Sequence, residues 1–473
     1  MIGRTIYNLF SHPLSKYPGP RSVAATHFPY LRQLLNGDLT FWVHELHEKY
    51  GDVVRISPNE LSYRTPESWK ENYGSRPGHT LLPKDENFYR HPPGGVHSII
   101  TAPHKQHQLY RRLLAHAFSE RALREQEPIM KTYVNLLIEQ LHKRADGVTR
   151  LNMVDWYNWT TFDLIGDLSF GEPFGCLEGA RYHPWIDMLF DSIKMTVLAA
   201  AAALIPAGQV LLALSVGVKG MKIRQTHMDL TVEKVGKRLE TKTNRNDFMK
   251  YVLRETDDGR KMTTQEIMAT CWHLIIAGSE TTATLLSGVT YYLLRNPKAM
   301  KTLQEEVRNA FSTEEEINVM NVAGLKYMLA CLDEAMRLYP PVSGGLPRSI
   351  PPGGETLGGV YIPEGVLVST SHWSAYRSGN YWHDPLSFIP ERWLGDKRFE
   401  SDVKSAFQPF SYGPRNCIGR NLAYVEMRLI LARLMWNFDM EICEDSIKWT
   451  DQKVYVLWDK KPLWVKVTAA QRG

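Results

Sequence analysis

Apolar residues recur at helical spacing in three segments of the chain. The longest segment starts with a capping box formed by Thr263 and Glu266 and continues until Pro297 stops it. It predicts a helix of about thirty residues, which at about 1.5 Å per residue is long enough to cross a whole domain. A second helix is predicted over 325–338 and a third after Cys417. The chain is therefore predicted to be mainly helical.

Short alternating and β-branched runs predict strands near both ends of the chain. The runs 52–57 and 60–63 flank a Pro-Asn turn and predict a β-hairpin. Short runs punctuated by Gly and Pro continue to about Ser371, and two more follow in 453–458 and 463–467. No internal repeat or interdomain linker stands out, so one continuous domain is the simplest interpretation, although about 150 residues per domain suggests about three. The predicted fold class is mainly α with small β-sheets (α+β).

Composition excludes several classes of protein. The 473 residues carry 56 Lys and Arg against 51 Asp and Glu, a formal net charge of +5, without the basic run that a nucleic-acid binder needs. With 43% hydrophobic and 11% aromatic residues, the chain has ample material for a large core and is neither disordered nor fibrous. The five cysteines are far apart and odd in number, which argues against a disulfide scaffold and a structural zinc site and favours a reducing compartment.

The N-terminal segment has no continuous apolar run. Charged residues and a proline interrupt residues 1–17, so neither a secretory signal nor a membrane anchor is predicted there. The prolines at positions 18 and 20 predict a stiff hinge, and we expect an N-terminal segment and hinge over 1–20 followed by one domain over 21–473. Pro206 divides the uncharged run 195–218, where two buried or surface-dipping helices are preferred to a membrane span.

The segment 410–419 is the most informative for chemistry. Two glycines and Arg415 surround Cys417, and the loop leads directly into the third predicted helix. Amides and the positive end of a helix dipole lower the pKa of a thiol, and glycines let a flat, bulky group approach the backbone. Cys417 is therefore a candidate thiolate, either a nucleophile or a metal ligand. A buried structural cysteine is the ordinary alternative, but it explains neither the glycines nor Arg415.

This loop resembles the haem-binding loop of the cytochrome P450 family, F-x-x-G-x-R-x-C-x-G, which segment 410–419 matches at every fixed position. The resemblance implies the cytochrome P450 fold, a single domain around a buried haem. It implies Cys417 as the axial thiolate ligand of the iron of haem b, Arg415 as the partner of a haem propionate, and Phe410 as a further haem-binding residue. A thiolate ligand pushes electron density toward the iron and favours O–O cleavage, as a monooxygenase requires.

A second motif consists of Glu334 and Arg337, three residues apart on the second predicted helix. Taken alone, the pair is an ordinary solvated ion pair. It resembles the family's E-x-x-R, and the later Pro-Glu-Arg-Trp at 390–393 is a variant of the family's P-E-R-F. The resemblance implies that Arg392 completes a structural network with Glu334 and Arg337, in which the loss of one member would leave a buried charge unpaired.

A third motif, Ala-Gly-Ser-Glu-Thr-Thr at 277–282, lies inside the longest predicted helix. A glycine and several hydroxyls weaken a helix locally, and a tolerated irregularity is the ordinary explanation. The segment is similar to the family's A/G-G-x-D/E-T-T, in which a bulge makes room for bound oxygen. The resemblance implies that Gly278 lies at the haem and that Glu280 and Thr281 relay protons to dioxygen.

The same resemblance assigns three more basic residues. His107 and Arg111 share a helix face, as in the family's helix over a haem propionate, and Arg348 follows the second predicted helix, where the family often has a propionate-binding arginine. From the residues alone, a basic surface helix is the alternative for His107 and Arg111. Five basic residues near the expected haem would also offer a positive face to an acidic electron donor: Lys105, Arg111, Arg112, Arg420 and Arg428.

The motifs follow the order of the family, and four segments resemble ascomycete fungal members from secondary metabolism: 8–20, 51–61, 113–128 and 418–434. This resemblance implies a haem-thiolate monooxygenase that inserts one oxygen atom from O2 into an apolar terpenoid, polyketide or aromatic compound. Electrons are expected from NADPH through the flavins of cytochrome P450 reductase, with cytochrome b5 as a further donor, and no nucleic-acid partner is expected. Such enzymes lie at the cytosolic face of the endoplasmic reticulum membrane, although a chain without the anchor is also compatible with peripheral contact or a soluble cytoplasmic location.

The substrate pocket is expected over the distal face of the haem. Its lining is predicted from segments 90–101, 195–215, 274–277 and 342–346, whose apolar and Gly-rich character suits an apolar ligand. Two alternatives within haem chemistry are a non-hydroxylating enzyme, such as a nitric oxide reductase, dehydratase or isomerase, and a non-catalytic haem sensor. A cysteine hydrolase is the alternative without haem.

Overall fold

The computed structural model of the protein describes residues 2–90, 95–205, 207–208, 210, 225–226, 229–241, 245–256 and 259–471, and for 187–193 the backbone alone. Helices form most of this part of the chain, as the periodicity predicts, and residues 229–240 are helical as well. The helices are α1 Ile2–Ile6, α2 Arg21–Ala25, α3 Phe28–Asn36, α4 Leu39–Tyr50, α5 Pro66–Tyr73, α6 His104–Ala115, α7 Glu120–His142, α8 Met153–Phe170, α9 Cys176–Gly179, α10 Pro184–Ala203, α11 Phe248–Val252, α12 Thr264–Arg295, α13 Pro297–Ala310, α14 Lys326–Leu338, α15 His372–Arg377 and α16 Arg420–Asn437.

The strands form small, separate sheets. A four-stranded sheet has the order β1-β2-β7-β4, a three-stranded sheet has the order β3-β11-β8, and two further pairs are β5-β6 and β9-β10. The predicted mainly α fold with small sheets is therefore confirmed. The strands are β1 Val53–Ser57, β2 Glu60–Tyr63, β3 Asp146–Asn152, β4 Arg348–Ser349, β5 Glu355–Leu357, β6 Val360–Ile362, β7 Leu367–Thr370, β8 Phe438–Ile442, β9 Lys453–Tyr455, β10 Leu457–Asp459 and β11 Trp464–Ala469.

Helix α12 spans 32 residues and is the longest helix of the described chain. At its start, the Glu266 amide donates a hydrogen bond to the Thr263 hydroxyl (3.2 Å), and the Thr263 amide donates one to the Glu266 carboxylate (2.8 Å). Asn296 caps the other end, and Pro297 begins α13. The predicted capping box and both predicted ends of this helix are confirmed.

Helices α12 and α8 pack closely against each other in the main apolar core. A Cβ atom on Gly278 would lie 2.7 Å from the Cδ1 atom of Ile165 on α8, so glycine lets the two helices approach closely here. One turn from the end of α12, the hydroxyls of Tyr157 and Thr290 are joined by a hydrogen bond of 2.6 Å. This packing holds the middle of α12 inside the domain.

The predicted hairpin forms one side of the four-stranded sheet. Strands β1 and β2 are antiparallel, with Val54 opposite Ser62, so the hairpin is confirmed. Leu14, from the N-terminal segment, is fully buried in the apolar cluster on this sheet. The division into a segment over 1–20 and a domain over 21–473 stays a prediction.

The uncharged run 195–218 lies only partly within the described residues. Helix α10 includes the first part of the run and ends at Ala203. The second predicted helix falls on 211–218, outside the described residues. Where the structure describes the chain, every helix is too short or too polar to cross a bilayer.

Candidate active site

The Cys417 loop joins a 3-10 turn at Gly413–Arg415 to helix α16. The Cys417 amide donates a hydrogen bond to the carbonyl oxygen of Phe410 (2.9 Å), which folds the loop back on itself. The Phe410 ring packs on Tyr424 of α16 with 5.3 Å between ring centroids. Of the five cysteines, all free, Cys417 is the one that is exposed.

The thiol of Cys417 faces a space enclosed by protein. Although Cys417 is exposed, burial raises the pKa of its thiol. The Gly419 amide, Arg111 and Arg420 act in the opposite direction and lower this pKa. The net direction is upward, although the amide and the cations of the loop act in the predicted, lowering direction. The desolvation cost outweighs the amide and the cations. A coordinating metal ion removes the thiol proton outright, so a ligand role remains open to this cysteine.

The glycines of the loop serve packing. Gly413 has a positive φ of 75°, and a Cβ atom there would lie 2.1 Å from the carbonyl oxygen of Tyr73 at the end of α5. A Cβ on Gly419 would lie 3.9 Å from the Cys417 sulfur, which is an ordinary contact distance. Gly413 is therefore needed to fit the loop against α5, and the approach of a flat, bulky group to the loop glycines stays a prediction.

Helix α6 supports the loop through Arg111. Its Nη1 atom donates to the carbonyl oxygen of Asn416 (2.7 Å), and its Nη2 atom donates to the side-chain oxygen of the same residue. Asn416 directly precedes Cys417, so the helix holds the backbone next to the thiol. His107, four residues earlier, is buried, and burial lowers its pKa to about 3, with Arg415 and Lys84 adding to the effect.

Lys84, Arg348 and Arg415, with His107, form a group of basic residues that we call the basic cluster. Arg415 Nη2 donates to the carbonyl oxygen of Ala102 (2.8 Å), whereas Arg415 Nη1 is buried and has no hydrogen-bond partner among the described residues. Lys84 Nζ donates to the carbonyl oxygen of Ile100 (2.8 Å). Arg348 Nη1 donates to the Tyr89 hydroxyl (3.2 Å), and its guanidinium lies 4.8 Å from the centroid of the Tyr73 ring.

The basic cluster has no acidic partner within the described residues. None of its members forms an ion pair there with an Asp or Glu side chain. Burial lowers the pKa of Lys84 well below its ordinary value, and Arg348 and Arg415 lower it further. Burial also lowers the pKa of Arg415 to about 10, again with a contribution from Arg348. Like charges gathered in an enclosed space are costly unless an anion joins them.

Glu334, Arg337 and Arg392 meet in a second buried group of charges. Arg337 donates to both carboxylate oxygens of Glu334 (2.8 and 3.0 Å), and Arg392 Nε donates to Glu334 Oε1 (3.0 Å). The indole of Trp393 donates to Glu334 Oε2 (2.9 Å), a hydrogen bond that phenylalanine at this position could not make. Burial acts to raise the pKa of Glu334, but the two arginines hold it below its ordinary value.

Glu280 and Thr281 are neighbours on α12, but their side chains have different partners. Lys460 Nζ donates to Glu280 Oε1 (2.5 Å), and the Thr281 hydroxyl donates to the carbonyl oxygen of Ala277 (2.6 Å). No hydrogen bond joins the two side chains, both of which lie in the described part of the chain. Burial raises the pKa of Glu280, opposed by Lys460.

The segment 277–282 does not interrupt α12. The helix is α-helical throughout, so the predicted bulge is wrong as a break in the helix. The hydroxyls of Ser279 and Thr281 each donate to the carbonyl oxygen four residues earlier (2.5 and 2.6 Å), which bends a helix without breaking it. Ala277 is exposed and Thr281 half-buried in this otherwise buried stretch, so both border an internal space.

Comparison with known proteins decides the family. A family model described as Cytochrome P450 matches residues 18–467. The chain belongs to the cytochrome P450 family. It is 45% identical to cytochrome P450 monooxygenase efuB of Hormonema carpetanum, over 100% of this chain and 94% of that protein. It is 46% identical to cytochrome P450 monooxygenase tpeC of Talaromyces stipitatus, over 99% of this chain and 92% of that protein. It is 44% identical to cytochrome P450 monooxygenase astJ of Aspergillus oryzae, over 98% of this chain and 94% of that protein.

Three predictions from the sequence are thereby confirmed: the cytochrome P450 family, its single-domain fold, and the monooxygenase class to which the fungal relatives belong. A cytochrome P450 monooxygenase uses a haem-thiolate iron cofactor and acts on small molecules with O2 and a redox partner. The residues present fit this cofactor. Cys417 supplies the soft sulfur ligand that iron accepts, and the basic cluster, with the unpartnered Arg415 Nη1, supplies cations for two carboxylates.

An apolar cavity of about 190 Å³ lies between α3, the four-stranded sheet, the end of α10 and the chain after α14. Two of the four segments predicted to line the P450 substrate pocket contribute to it, through Val197, Leu204, Val342 and Leu346. Segment 274–277 does not line this cavity. Residues 91–94 of the predicted segment 90–101 and residues 211–215 of the predicted segment 195–215 lie outside the described residues.

The sequence reasoning missed two residues of the candidate site. Lys84 joins the basic cluster from a stretch without regular secondary structure, and Lys460 reaches Glu280 from the loop after β10. Neither lysine carries a local signal, because each depends on a contact with residues far away in the chain. The indole of Trp393 could have been recognised as a hydrogen-bond donor where the family has phenylalanine.

Proposed function

We propose that Cys417 is the axial thiolate ligand of haem b and that the chain uses this cofactor to insert one oxygen atom from O2 into an apolar product of fungal secondary metabolism. When bound, the haem supplies the activation of dioxygen. The protein's own residues hold the cofactor, supply protons and exclude water from the substrate. The names of the relatives support the monooxygenase class.

The observation that carries the proposal is the position of the basic cluster next to the Cys417 loop. Arg415 lies two residues before Cys417, and Arg111 is bonded to Asn416 between them. Arg348 and Lys84 add positive charge at Arg415. A thiolate ligand and a set of cations without acidic partners match the two kinds of group that haem b presents, its iron and its propionates.

Within this cluster, we assign Arg415, Arg348, Lys84 and His107 to the propionates. Arg415 Nη1 has a free donor, and Lys84 and Arg348 are held in place by Tyr89, over whose ring Lys84 lies at 4.3 Å. Arg111 positions the loop. Phe410 contributes to the haem site through the packing of its ring on Tyr424. Gly278 contributes by letting α12 approach α8 closely.

For the acid–base chemistry, we assign Glu280 and Thr281. Burial raises the pKa of the Glu280 carboxyl and so eases its protonation, which suits a group that accepts and gives protons. Thr281, which borders the internal space, offers a hydroxyl on the same stretch of helix. Because Glu280 is bonded to Lys460, its carboxylate must release that contact, or exchange protons through it, to serve Thr281.

The partners follow from the class of enzyme. We propose electrons from NADPH through cytochrome P450 reductase, with cytochrome b5 as a further donor, bound at a face that includes the exposed Lys105, Arg112 and Arg420. The substrate is an apolar terpenoid, polyketide or aromatic compound in the cavity beside α3 and α10. The proposed location is the cytosolic face of the endoplasmic reticulum membrane.

The test is the difference spectrum of the reduced protein with and without carbon monoxide. We expect the red-shifted Soret band of a thiolate-ligated haem in the parent protein and its loss in Cys417→Ala. Cys443→Ala is the matched control, because Cys443 is a free cysteine elsewhere in the chain and its removal should leave the band unchanged. A haem-loaded Cys417→Ala variant that keeps the parent band would show that another residue ligates the iron.

A further inference from the structure

A polar cavity of about 310 Å³ lies on one side of Glu280 and shares no lining residue with the apolar cavity. Its polar lining comes from α8 and the chain around it, from Glu280 on α12, and from the loop after β10. A polar cavity of this volume can hold several water molecules. The lining groups used below are Asp155, Asn158, Tyr182, Glu280 and Lys460.

Lys460 holds one oxygen of Glu280 and leaves the other free. Its Nζ atom donates to Glu280 Oε1 (2.5 Å) and to the Thr284 hydroxyl (2.9 Å), and the side chains of Lys460 and Glu280 are 4% and 2% exposed. Glu280 Oε2 is buried and accepts no hydrogen bond from the described residues. A buried carboxylate oxygen without a donor, on the wall of a polar cavity, is suited to bind a water molecule or a proton.

A chain of hydrogen bonds continues from Lys460 along the cavity wall. Lys460 Nζ contacts Asn158 Oδ1 (3.4 Å), Asn158 Nδ2 donates to the Tyr182 hydroxyl (3.0 Å), and that hydroxyl donates to Asp155 Oδ1 (2.9 Å). At the rim, Lys194 and Asp459 form an ion pair between well-exposed side chains. The polar groups therefore run along the cavity wall from Glu280 to Asp155, and the same cavity is lined at its rim by Lys194 and Asp459.

Burial moves the members of this network toward their neutral forms. It lowers the pKa of Lys460, opposed by Glu280, and it raises the pKa of Glu280, opposed by Lys460. Burial also raises the pKa of Asp155, opposed by Tyr182 and Lys460. A lysine and a glutamate whose proton affinities approach each other can exchange a proton across a short hydrogen bond.

We propose that Lys460 is a positioning residue that holds Glu280 and recharges it with protons from the polar cavity, by a route separate from the one the substrate takes. This inference rests on the proposed role of Glu280 in proton relay. In the step, an N–H bond of Lys460 breaks as an O–H bond forms on Glu280. The neutral amine then takes a proton from a hydronium ion that solvent supplies through the cavity water, and the hydronium becomes water. The protons are consumed with NADPH electrons in the reduction of O2.

The first experiment uses the haem-loaded protein with cytochrome P450 reductase, NADPH and O2, without an organic substrate. The ratio of NADPH oxidised to O2 consumed gives the share of oxygen that is reduced fully to water, which needs proton delivery, against the share released as hydrogen peroxide. We expect Lys460→Gln to lower the ratio of water to peroxide by about tenfold, within the range of a lost acid–base function. Lys460→Arg keeps a positive charge beside Glu280 but does not give up a proton, so it should not restore the ratio.

Two controls separate delivery of protons from a structural effect. Lys461→Gln, a change at the adjacent and exposed lysine, should behave as the parent protein. Oxidation of guaiacol with cumene hydroperoxide does not depend on protonation of reduced O2 by solvent, so Lys460→Gln should keep the parent rate in that assay. Equal loss in both assays, or a parent-like ratio of water to peroxide, would overturn the proposal.

A second measurement does not depend on turnover. Infrared difference spectra against Glu280→Gln isolate the carboxyl band of Glu280. In Lys460→Gln, burial without the lysine charge should protonate Glu280, so a carboxylic acid band should appear that the parent and Lys461→Gln lack. An unchanged Glu280 band would contradict the positioning role even if Lys460→Gln lost activity or the parent failed to accept electrons from the reductase.

The outcomes also separate this inference from the proposed function. If Glu280→Gln keeps the parent ratio of water to peroxide, the proposed relay through Glu280 is wrong. If Glu280→Gln lowers the ratio and Lys460→Gln does not, the relay stands and the route through Lys460 is wrong. Asp155→Asn is the second variant, because it leaves the buried ion pair intact; it should lower the ratio less than Lys460→Gln does.

Discussion

Two buried groups of charged residues in this protein differ in whether positive and negative side chains pair within the group. In the network around Glu334, the carboxylate accepts hydrogen bonds from Arg337, Arg392 and Trp393, so that positive and negative charge meet directly. In the basic cluster, Lys84 and its neighbours have carbonyl oxygens and aromatic rings as partners but no acidic side chain among the described residues. The first group is complete in the polypeptide alone, and we propose that a bound anion completes the second.

Their pKa shifts reflect this difference. The arginines overcome the effect of burial at Glu334 and keep its pKa below the ordinary value. At Lys84 no opposite charge acts against burial, and the pKa falls well below the ordinary value. Glu426 on α16 is a buried carboxyl without a cation, and burial raises its pKa to about 8. Burial alone therefore shifts a pKa toward the neutral form of the group, whereas partners of opposite charge can reverse the shift.

The largest effect is expected from breaking the complete network. Arg392→Ala removes one of the two arginines that hold Glu334 and leaves the buried side chain of Asp402 without its ion-pair partner, and an unpaired buried charge typically costs about 3–5 kcal/mol. We expect a much lower midpoint in urea unfolding and a low yield of haem-loaded protein. Arg398→Ala, a change at an exposed arginine paired with Asp396, is the control and should be nearly neutral. Equal stability of the two variants would show that the network does not support folding.

The next effect concerns Glu426, the buried acid without a cation. The unfolded chain loses this proton near pH 4.5 and the folded protein near pH 8, so between these values the folded state binds more protons and the free energy of unfolding falls as pH rises. Glu426→Gln removes the free-energy cost of keeping this carboxyl protonated in the folded protein. It should therefore stabilise the protein by on the order of 3 kcal/mol at pH 7. Urea unfolding at pH 5 and pH 8 checks this, because the gain should be smaller at pH 5.

A smaller effect is expected at the basic cluster, where removing a cation should affect the haem-free and the haem-loaded protein differently. Lys84→Met removes a cation that only an anionic ligand compensates, so the haem-free protein should be no less stable than the parent. The haem should dissociate about tenfold faster, in line with the loss of about 1.5 kcal/mol from one charged hydrogen bond. Haem transfer to apomyoglobin measures the rate, and Lys105→Met, at an exposed site on α6, is the control. A destabilised haem-free Lys84→Met protein would contradict the comparison.

The smallest effect is expected at Trp393. Trp393→Phe removes one of the hydrogen bonds to Glu334 Oε2 but leaves the bond from Arg337 Nε to the same atom. The expected loss is about 1 kcal/mol, measured by urea unfolding. A loss as large as that of Arg392→Ala would mean that the indole, and not the second arginine, completes the network.

The sequence by itself determined the local structure and the identity of the candidate ligand. The capping box at Thr263 and the break at Pro297 act on their own neighbours, so the ends of α12 were predictable. The hairpin of β1 and β2 depends on a short turn in the same way. The motif around Cys417 and the pairing of Glu334 with Arg337 were also recognisable, because the residues lie close together in the chain.

Only the tertiary structure decided which charges are paired and which way burial shifts them. Lys460 reaches Glu280 across 180 positions, and Arg111 reaches Asn416 across 305 positions. No local pattern records such contacts, since they depend on how distant elements pack. The sign of a pKa shift depends on the balance between desolvation and neighbouring charges in the folded protein, so the effect of burial on the pKa of Cys417 could not be predicted from the loop sequence.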